Sequence, residues 1–237
     1  MLTSIPTPPT PPDPSLRGYN WLSSGLISLT GLTLSMALTL APALAKPDSS
    51  AGAANPRANP SPTGASPMKV SSLTGEGTIT LPDGSTYKGE LLNGRFNGRG
   101  QLVLADGSSY EGDFRNGRYN GNGTLLLADG SRYEGQFQDG IFNGVGTLTQ
   151  ADGKKYEGEF ASGQFNGKGV LTYPDGTRYE GQFLAGQFNG KGALTYPDRT
   201  SYNGDFRNGA FEGIGVFTLP DGSRLVGSWS NVRRLSP

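Results

Sequence analysis

The chain has 237 residues, with 38 Gly, 17 Pro and a net charge of zero from 20 basic and 20 acidic side chains. It contains no Cys and no His, which excludes disulfides, iron–sulfur clusters, His-ligated metals and a Ser-His-Asp triad. Only 34% of the residues are hydrophobic, so the abundant glycine indicates either disorder or fixed backbone positions, and its strict period favours the second.

Residues 1–17 are a Pro-rich leader, a composition that buries little apolar surface and is expected to stay extended. Residues 18–45 carry no charge and contain an apolar span that we predict to be a helix. The span closes with Ala43-Leu44-Ala45, which predicts a secretory signal peptide cleaved after Ala45.

Two features of this segment favour other interpretations. The leader is long for a signal peptide, and the apolar span is long enough to cross a bilayer as an uncleaved anchor. A buried helix is the third alternative. Because the single positive charge, Arg17, precedes the span, either of the first two places the following chain outside the cytoplasm, as a periplasmic, secreted or membrane-anchored protein. Residues 46–74, rich in Pro, Ala and Ser, predict a disordered linker.

The rest of the chain is built from one 23-residue unit. Asp recurs at this interval without an insertion, at positions 83, 106, 129, 152, 175, 198 and 221. Tyr, Gly and aromatic residues recur in phase with it, and six full copies run from Asp83 to Pro220. A half copy precedes them from Gly75, and another follows to Trp229. Such regular repetition is the signature of an architecture in which each copy packs on its neighbours.

Each unit predicts one β-hairpin. Tyr110, Gly112 and Phe114 alternate with polar residues, as in a strand with one buried face. Asn116-Gly117 predicts a type I′ turn, and Asp129-Gly130 predicts the next tight reversal.

Consecutive hairpins are expected to pair side by side. The predicted fold is therefore all-β: an elongated single-layer antiparallel meander over residues 75–229, with twelve strands from the six full copies and a tail of residues 230–237. The glycines on the inner face are expected to leave room for an aromatic ring that lies over the backbone.

The periodic aromatic residues are the candidate interaction residues, although packing of the repeat is the role that their pattern favours. A single-layer sheet leaves some of its surface exposed, so an open groove for a peptide or glycan is the alternative. These residues are Tyr87, Phe96, Tyr110, Phe114, Tyr119, Tyr133, Phe137, Phe142, Tyr156, Phe160, Phe165, Tyr179, Phe183, Phe188, Tyr202, Phe206, Phe211 and Trp229.

The periodic acidic residues have structural explanations as well. The Asp-Gly pairs lack the nonapeptide spacing of calcium-binding β-rolls, so turn formation is the better hypothesis. Glu111 and its equivalents predict an acidic row opposite the aromatic face, where basic residues such as Arg132 pair diagonally with neighbouring acids. A carboxylate pair for glycoside hydrolysis is the enzymatic alternative. Identical units offer no distinctive pocket, so we expect no catalytic activity, no cofactor and no metal.

At this point the motif is specific enough to show a resemblance. Tyr133-Glu134-Gly135-Gln136-Phe137, followed by Gly140, by Asn143-Gly144-Val145-Gly146 and by Asp152-Gly153, resembles the MORN repeat (membrane occupation and recognition nexus). The resemblance covers roughly residues 75–229. Its departures are Leu91 for the aromatic residue, Arg199 for Gly, Leu225 for Tyr and Glu212 for Asn.

The resemblance implies an elongated twisted sheet used for protein interaction, scaffolding or membrane association. Some relatives join the repeats to a phosphatidylinositol phosphate kinase or a lysine methyltransferase domain, and no part of this sequence fits such a domain. Residues 83–229 carry 14 basic and 17 acidic side chains, without the basic stripe of a nucleic-acid binder.

Three hypotheses follow from these observations. The favoured one is a protein-binding scaffold, exported or membrane-tethered, whose partner is another protein. The second is a membrane-lipid module, against which the acidic balance argues. The third is polysaccharide binding, which requires several exposed rings in a row. Open strands at the ends of the sheet also predict a homodimer formed through sheet edges.

Overall fold

The computed structural model describes the backbone of residues 73–232 and the side chains of residues 73–229. This part of the chain contains 14 β-strands and no helix. The predicted leader, the apolar helix with its cleavage site after Ala45, most of the linker and the last five residues of the tail lie outside the described residues.

The strands follow one another at regular intervals. They are β1 (Gly75–Thr80), β2 (Thr86–Leu92), β3 (Arg95–Val103), β4 (Ser109–Arg115), β5 (Arg118–Leu126), β6 (Arg132–Gln138), β7 (Ile141–Thr149), β8 (Lys155–Ala161), β9 (Gln164–Thr172), β10 (Arg178–Leu184), β11 (Gln187–Thr195), β12 (Ser201–Arg207), β13 (Ala210–Thr218) and β14 (Arg224–Val232).

All strands lie in one open antiparallel sheet, in which each strand pairs with its neighbours in the sequence. The six full copies of the unit form the twelve strands β2 to β13, and the half copies supply β1 and β14. The predicted all-β antiparallel meander is therefore confirmed.

Two kinds of turn connect the strands. At Asn116-Gly117 both residues have positive φ, of 53° and 81°, as a type I′ turn requires, so this prediction is confirmed. At the other end of the strands, the Gly130 N–H donates to Leu127 O at 2.9 Å and the Leu127 N–H donates to Ser131 O at 2.8 Å. Gly130 has φ of 89°, which favours glycine at this position.

The periodic Asp forms the second turn, as predicted. The Ser131 N–H donates to Asp129 Oδ1 at 2.7 Å, and the same bond recurs in the other copies. Such an Asx turn supplies an acceptor for a backbone donor that the tight reversal leaves without one. Arg199 replaces glycine here at φ of 71°, a left-handed conformation that a non-glycine residue adopts at some cost.

Every full hairpin contains a β-bulge, which the alternation of the sequence does not predict. Gly112 pairs with Gly123, but the next residue, Asp113, pairs with Asn120. The second strand of the hairpin therefore holds two more residues than the first over this interval. The same shift recurs in all six full hairpins. A bulge releases backbone groups from the ladder and turns side chains outward.

Candidate functional site

The periodic aromatic rings form a continuous buried ladder along one face of the sheet. Sixteen of the 18 predicted aromatic residues are buried, and Phe211 and Trp229 are partly buried. Tyr110 stacks on Tyr119 across its hairpin, with 3.8 Å between ring centroids. Its ring also meets the edge of Phe137 in the next repeat, at 5.2 Å. The ladder is thus the core of the array, and a ligand-binding role for these rings remains a prediction.

The inner-face glycines provide the space in which the rings lie. A Cβ on Gly123 would approach Tyr110 Oη to 2.4 Å, and a Cβ on Gly112 would approach Gly123 Cα to 2.5 Å. The tyrosine of each first strand therefore covers the Gly pair formed by its own strand and the next. This geometry agrees with the predicted covering of glycine by an aromatic ring.

The hydroxyl of each first-strand tyrosine binds the backbone at the bulge. The Tyr156 hydroxyl donates to Glu159 O at 2.8 Å, and the equivalent bond occurs in all six repeats. The hydroxyl thus links the aromatic face to the carbonyl beside the bulge. Burial raises the pKa of Tyr87 and Tyr202 to about 12. Burial also raises the pKa of the other ladder tyrosines above the ordinary value.

A carboxylate or amide side chain closes the bulge from the opposite face. Asp113 Oδ2 accepts the Asn122 N–H at 3.1 Å, and Glu159 Oε1 accepts the Lys168 N–H at 3.1 Å. Glu90 and Gln136 act in the same way. This role was not predicted, although an acid or amide stands at this place of the sequence in all six copies. The glycine before the bulged residue has positive φ, such as 62° at Gly121.

This bulge presents a single exposed side chain at the same place in each repeat. We call these six residues the variable row, because the frame around them is constant and their side chains differ. The variable row consists of Arg99, Asn122, Val145, Lys168, Lys191 and Ile214. Val145 is 61% exposed and Ile214 is 72% exposed, which is high for large apolar side chains.

The repeat geometry agrees with a known sequence family. Six consecutive segments match the model of the MORN repeat, at residues 87–109, 110–132, 133–155, 156–178, 179–201 and 202–224. The matches cover more than half of the chain. The chain belongs to the MORN repeat family. Each matched segment begins at a ladder tyrosine, so one MORN unit here is a strand, a type I′ turn, a bulged strand and an Asx-turn loop.

Comparison with solved structures gives weak likenesses. The TCP10 domain of Danio rerio CPAP, in complex with a peptide of Danio rerio STIL, is 14% identical over 65% of this chain and 78% of that domain, with a TM-score of 0.34. A catalytically inactive virginiamycin B lyase from Staphylococcus aureus with quinupristin is 8% identical over 68% and 72%, with a TM-score of 0.18. Such scores carry no argument about binding. No curated protein matches the chain.

The outward face of the MORN array carries paired charges. Arg132 lies 2.6 Å from Glu134, and Lys155 lies 2.9 Å from Glu157, in each case two residues apart on one strand. The predicted diagonal pairing of these residues is therefore wrong: each base bonds the acid on its own strand, because alternate residues share a face. The pairs are about half exposed, and such pairs contribute little to stability.

The array offers no enclosed site in its described part. One open depression of about 370 Å³ lies over the bulges of β5 and β7, lined by Asn120, Asn143 and Gln136 among others. Residues 73–232 contain no helix that is able to cross a membrane. Across the same residues, no three acidic side chains are grouped in a way that is able to hold a metal ion.

In the first three full units, the residue after the Asp-Gly pair contacts the residue that precedes the Asp of the next loop. Ser131 Oγ accepts the Ala151 N–H at 3.0 Å, and two earlier serines make the same bond. In later repeats a proline, which has no N–H to donate, occupies the place of Ala151. There Lys154 and Thr177 replace Ser, and the Lys154 Nζ lies 5.6 Å from the centroid of the Tyr173 ring.

Proposed function

We propose that this chain is a non-enzymatic protein-binding scaffold, exported or membrane-tethered, that captures a partner protein along its variable row. The observation that supports this proposal is the row itself: six exposed side chains at constant intervals on a constant frame. Binding surfaces of repeat proteins are extended and read a partner through residues at equivalent places in successive repeats.

The frame lowers the entropic cost of binding. In four of the six row residues, Arg99, Asn122, Val145 and Lys168, a side chain of the neighbouring strand binds the backbone N–H, so the backbone there is ordered before a partner arrives. Preorganised groups lose less conformational freedom on association. Row residues are two strands apart, or about 10 Å, a spacing that suits an extended protein segment better than a small ligand.

The chemistry of the row also favours a protein partner. Val145 and Ile214 expose apolar surface that a partner would remove from water. Lys168 and Lys191 add basic groups between them, and Arg99 adds one at the start of the row. The Lys191 Nζ lies 3.1 Å from Asp205 Oδ1. The row begins with the charged Arg99 and ends with the apolar Ile214, and this difference fixes the direction of a bound segment.

The absence of an enzymatic role is part of the proposal. Glu134 and Glu157 form ion pairs on their own strand, and Asp113 and Glu159 close a bulge, so these acids already have partners within the array. The lipid alternative finds little support, since the basic residues of the array are balanced by acids. The polysaccharide alternative requires exposed rings, and sixteen of the ladder rings are buried.

Site-specific photo-crosslinking tests the proposed binding surface. A photoreactive residue at Val145 or Lys191 in the full-length chain, expressed in its own host, is expected to give one crosslinked partner protein that persists at moderate salt. A photoreactive residue at Leu126, which is 41% exposed and lies outside the row, serves as the matched control. Val145→Glu is expected to abolish the crosslink from Lys191, whereas Leu126→Glu is expected to leave it intact.

Two results would contradict the scaffold proposal. One is equal crosslinking from the row and the control position, which would indicate non-specific contact. The other is salt-sensitive binding of the purified chain to anionic vesicles in place of protein capture, which would favour the lipid module.

The proposed location rests on residues 18–45 and needs its own measurement. Determination of the N-terminal residue after fractionation is expected to give Lys46 in a soluble exported form, or an intact N-terminus in the membrane. An intact N-terminus in the soluble cytosolic fraction would contradict both.

A further inference from the structure

The two ends of the sheet carry complementary halves of one MORN unit. Strand β1, Gly75–Thr80, occupies the places of the second strand of a hairpin, equivalent to residues 98–103. Strand β14 begins with the places of a first strand, since Arg224 to Trp229 are equivalent to residues 109–114. The sheet thus begins with a second half and closes with a first half.

The β1 end is already shaped as half of a hairpin. Leu73 O accepts the Gly94 N–H at 3.0 Å, as Phe96 O accepts the Gly117 N–H at 2.8 Å in the following repeat. Gly75 keeps a positive φ, of 116°, at the place where full units have the bulge glycine. The segment therefore has the backbone of a second strand without its first strand.

Along the outer edge of β14, alternate residues direct backbone groups outward, in the spacing with which a second strand of a hairpin pairs. The Leu219 N–H donates to Ser223 O at 2.8 Å and closes the β13–β14 loop. Bonded residues alternate along an antiparallel strand, so Leu225 and Gly227 bond β13 while Arg224 and Val226 direct their N–H and C=O groups outward. Among the described residues, no strand pairs with this edge.

The outer edge of β1 follows the same rule. The Leu81 N–H donates to Ser85 O at 2.7 Å, so Ile79 and Gly77 bond β2. Thr80, Thr78 and Glu76 direct their backbone groups outward. Their side chains are exposed, and the described part of the chain contains no strand beyond them.

The two half units both have leucine where full units have a stacked aromatic ring. In the first five full units an aromatic ring of the first strand stacks on a ring of the second, at 3.7–3.8 Å. In the half units both places hold leucine: Leu225 stands in the first-strand place and Leu73 in the second-strand place. Leu73 is 47% exposed. Two leucines facing each other would bury that apolar surface and replace the ring pair.

We propose that β14 of one copy pairs with β1 of a second copy, head to tail, and completes a MORN unit across the junction. The register is that of the hairpins within the chain, with Leu225 opposite Ile79 and Gly227 opposite Gly77 of the neighbouring copy. In this register the outward groups of Val226 face those of Thr78. This assembly is independent of the partner captured by the variable row.

Head-to-tail pairing differs from the homodimer expected from open edges. Within the chain a first strand always pairs with second strands, and no two first strands pair with each other. A two-fold β14–β14 contact has no counterpart in the array, whereas a β14–β1 contact repeats a geometry that occurs in all six full hairpins. Because each added copy retains one free β1 and one free β14, the contact is heterologous and produces open-ended assemblies.

A complementation experiment tests the junction. Val226→Pro removes an outward N–H from β14, and Thr78→Pro removes one from β1; neither N–H bonds the chain's own sheet. The full-length wild type in mild detergent is expected to sediment as a series of species that grows with concentration. Each proline variant alone is expected to remain a monomer. An equimolar mixture is expected to form one-to-one dimers, since one variant retains β14 and the other retains β1.

Two variants that keep the outward N–H serve as controls. Val226→Thr and Thr78→Val keep the N–H and the β-branch, so both are expected to assemble like the wild type. Circular dichroism melting of the proline variants verifies that the array remains folded. A wild type that stays monomeric at all concentrations would overturn the proposal. Dimerisation of Thr78→Pro alone would instead establish β14–β14 pairing, and dimerisation of Val226→Pro alone would establish β1–β1 pairing.

Discussion

The covering of glycine by tyrosine predicts a large difference between two chemically identical substitutions. In Gly146→Ala the new Cβ would lie 2.5 Å from Tyr133 Oη and 2.7 Å from its ring carbons, so the ring must move. In Gly77→Ala, at the equivalent place of the first half unit, the nearest atom is Leu91 Cδ1 at 3.6 Å, an ordinary contact. Neither glycine has a positive φ, so the ring is the main difference between the two sites.

The cost at Gly146 follows from the two interactions that hold Tyr133. Its stack on Phe142, at 3.8 Å, contributes about 1 kcal/mol. Its hydroxyl donates to Gln136 O at 2.8 Å, and loss of that partly buried bond costs about 1–3 kcal/mol. The preference of a strand for Ala over Gly offsets about 0.5–1 kcal/mol. Gly146→Ala should therefore lower the free energy of unfolding by about 2 kcal/mol, whereas Gly77→Ala should leave it unchanged or raise it slightly.

Urea unfolding measures the change in global stability of each variant, and hydrogen exchange measures the change within one hairpin. Repeat arrays unfold in parts, so amide exchange in the β6–β7 hairpin reports the local free energy that a global midpoint averages. Exchange is expected to accelerate there in Gly146→Ala and to remain unchanged in Gly77→Ala. Equal stability of the two variants, within about 0.5 kcal/mol, would refute the assignment of these glycines as seats for the ring.

Three further predictions follow from the ladder and the loops. Raised tyrosine pKa values mean that the folded array holds protons that the unfolded chain releases above about pH 10, so stability should be full below that pH and fall as the pH rises towards the folded pKa of about 12 at Tyr87 and Tyr202. Circular dichroism with tyrosinate absorbance would show this, and ionisation of the ladder without unfolding would contradict it. Tyr156→Phe keeps the ring but removes its hydrogen bond to the Glu159 carbonyl, which should cost about 1 kcal/mol in urea unfolding. Ser131→Ala should cost about 1 kcal/mol by thermal melting, whereas Thr177→Val, whose hydroxyl has no partner and faces a proline, should cost nothing; equal losses would contradict the loop explanation.

Much of the fold was predictable because the unit encodes it locally. The alternation around Tyr110 gave the strands, and Asn116-Gly117 gave the type I′ turn, since positive φ at two successive residues strongly restricts the amino acids that fit. The strand order required only that short connections join neighbours. Leu225 and Arg199 changed neither the strands nor the turns, because the other residues of their copies still carry the pattern.

The bulge and the direction of the ion pairs were not predictable from the same pattern. Two inserted residues preserve the parity of a strand, so Tyr119 and Leu125 share a face whether or not a bulge lies between them. Alternation alone therefore conceals the bulge. The role of Asp113 as acceptor for a bulge N–H depends on that register, and so does the exposure of the row residues.

The length of the unit also follows from the bulge. A seven-residue first strand, a two-residue turn, a nine-residue second strand and a five-residue loop account for the 23-residue period. The two additional residues of the second strand are the bulge glycine and the row residue. The tyrosine hydroxyl and the acid or amide satisfy the backbone groups that the bulge releases, as at Tyr110 and Asp113. The recurring tyrosine and the acid or amide therefore hold the bulge, whose row residue is exposed and differs from one repeat to the next.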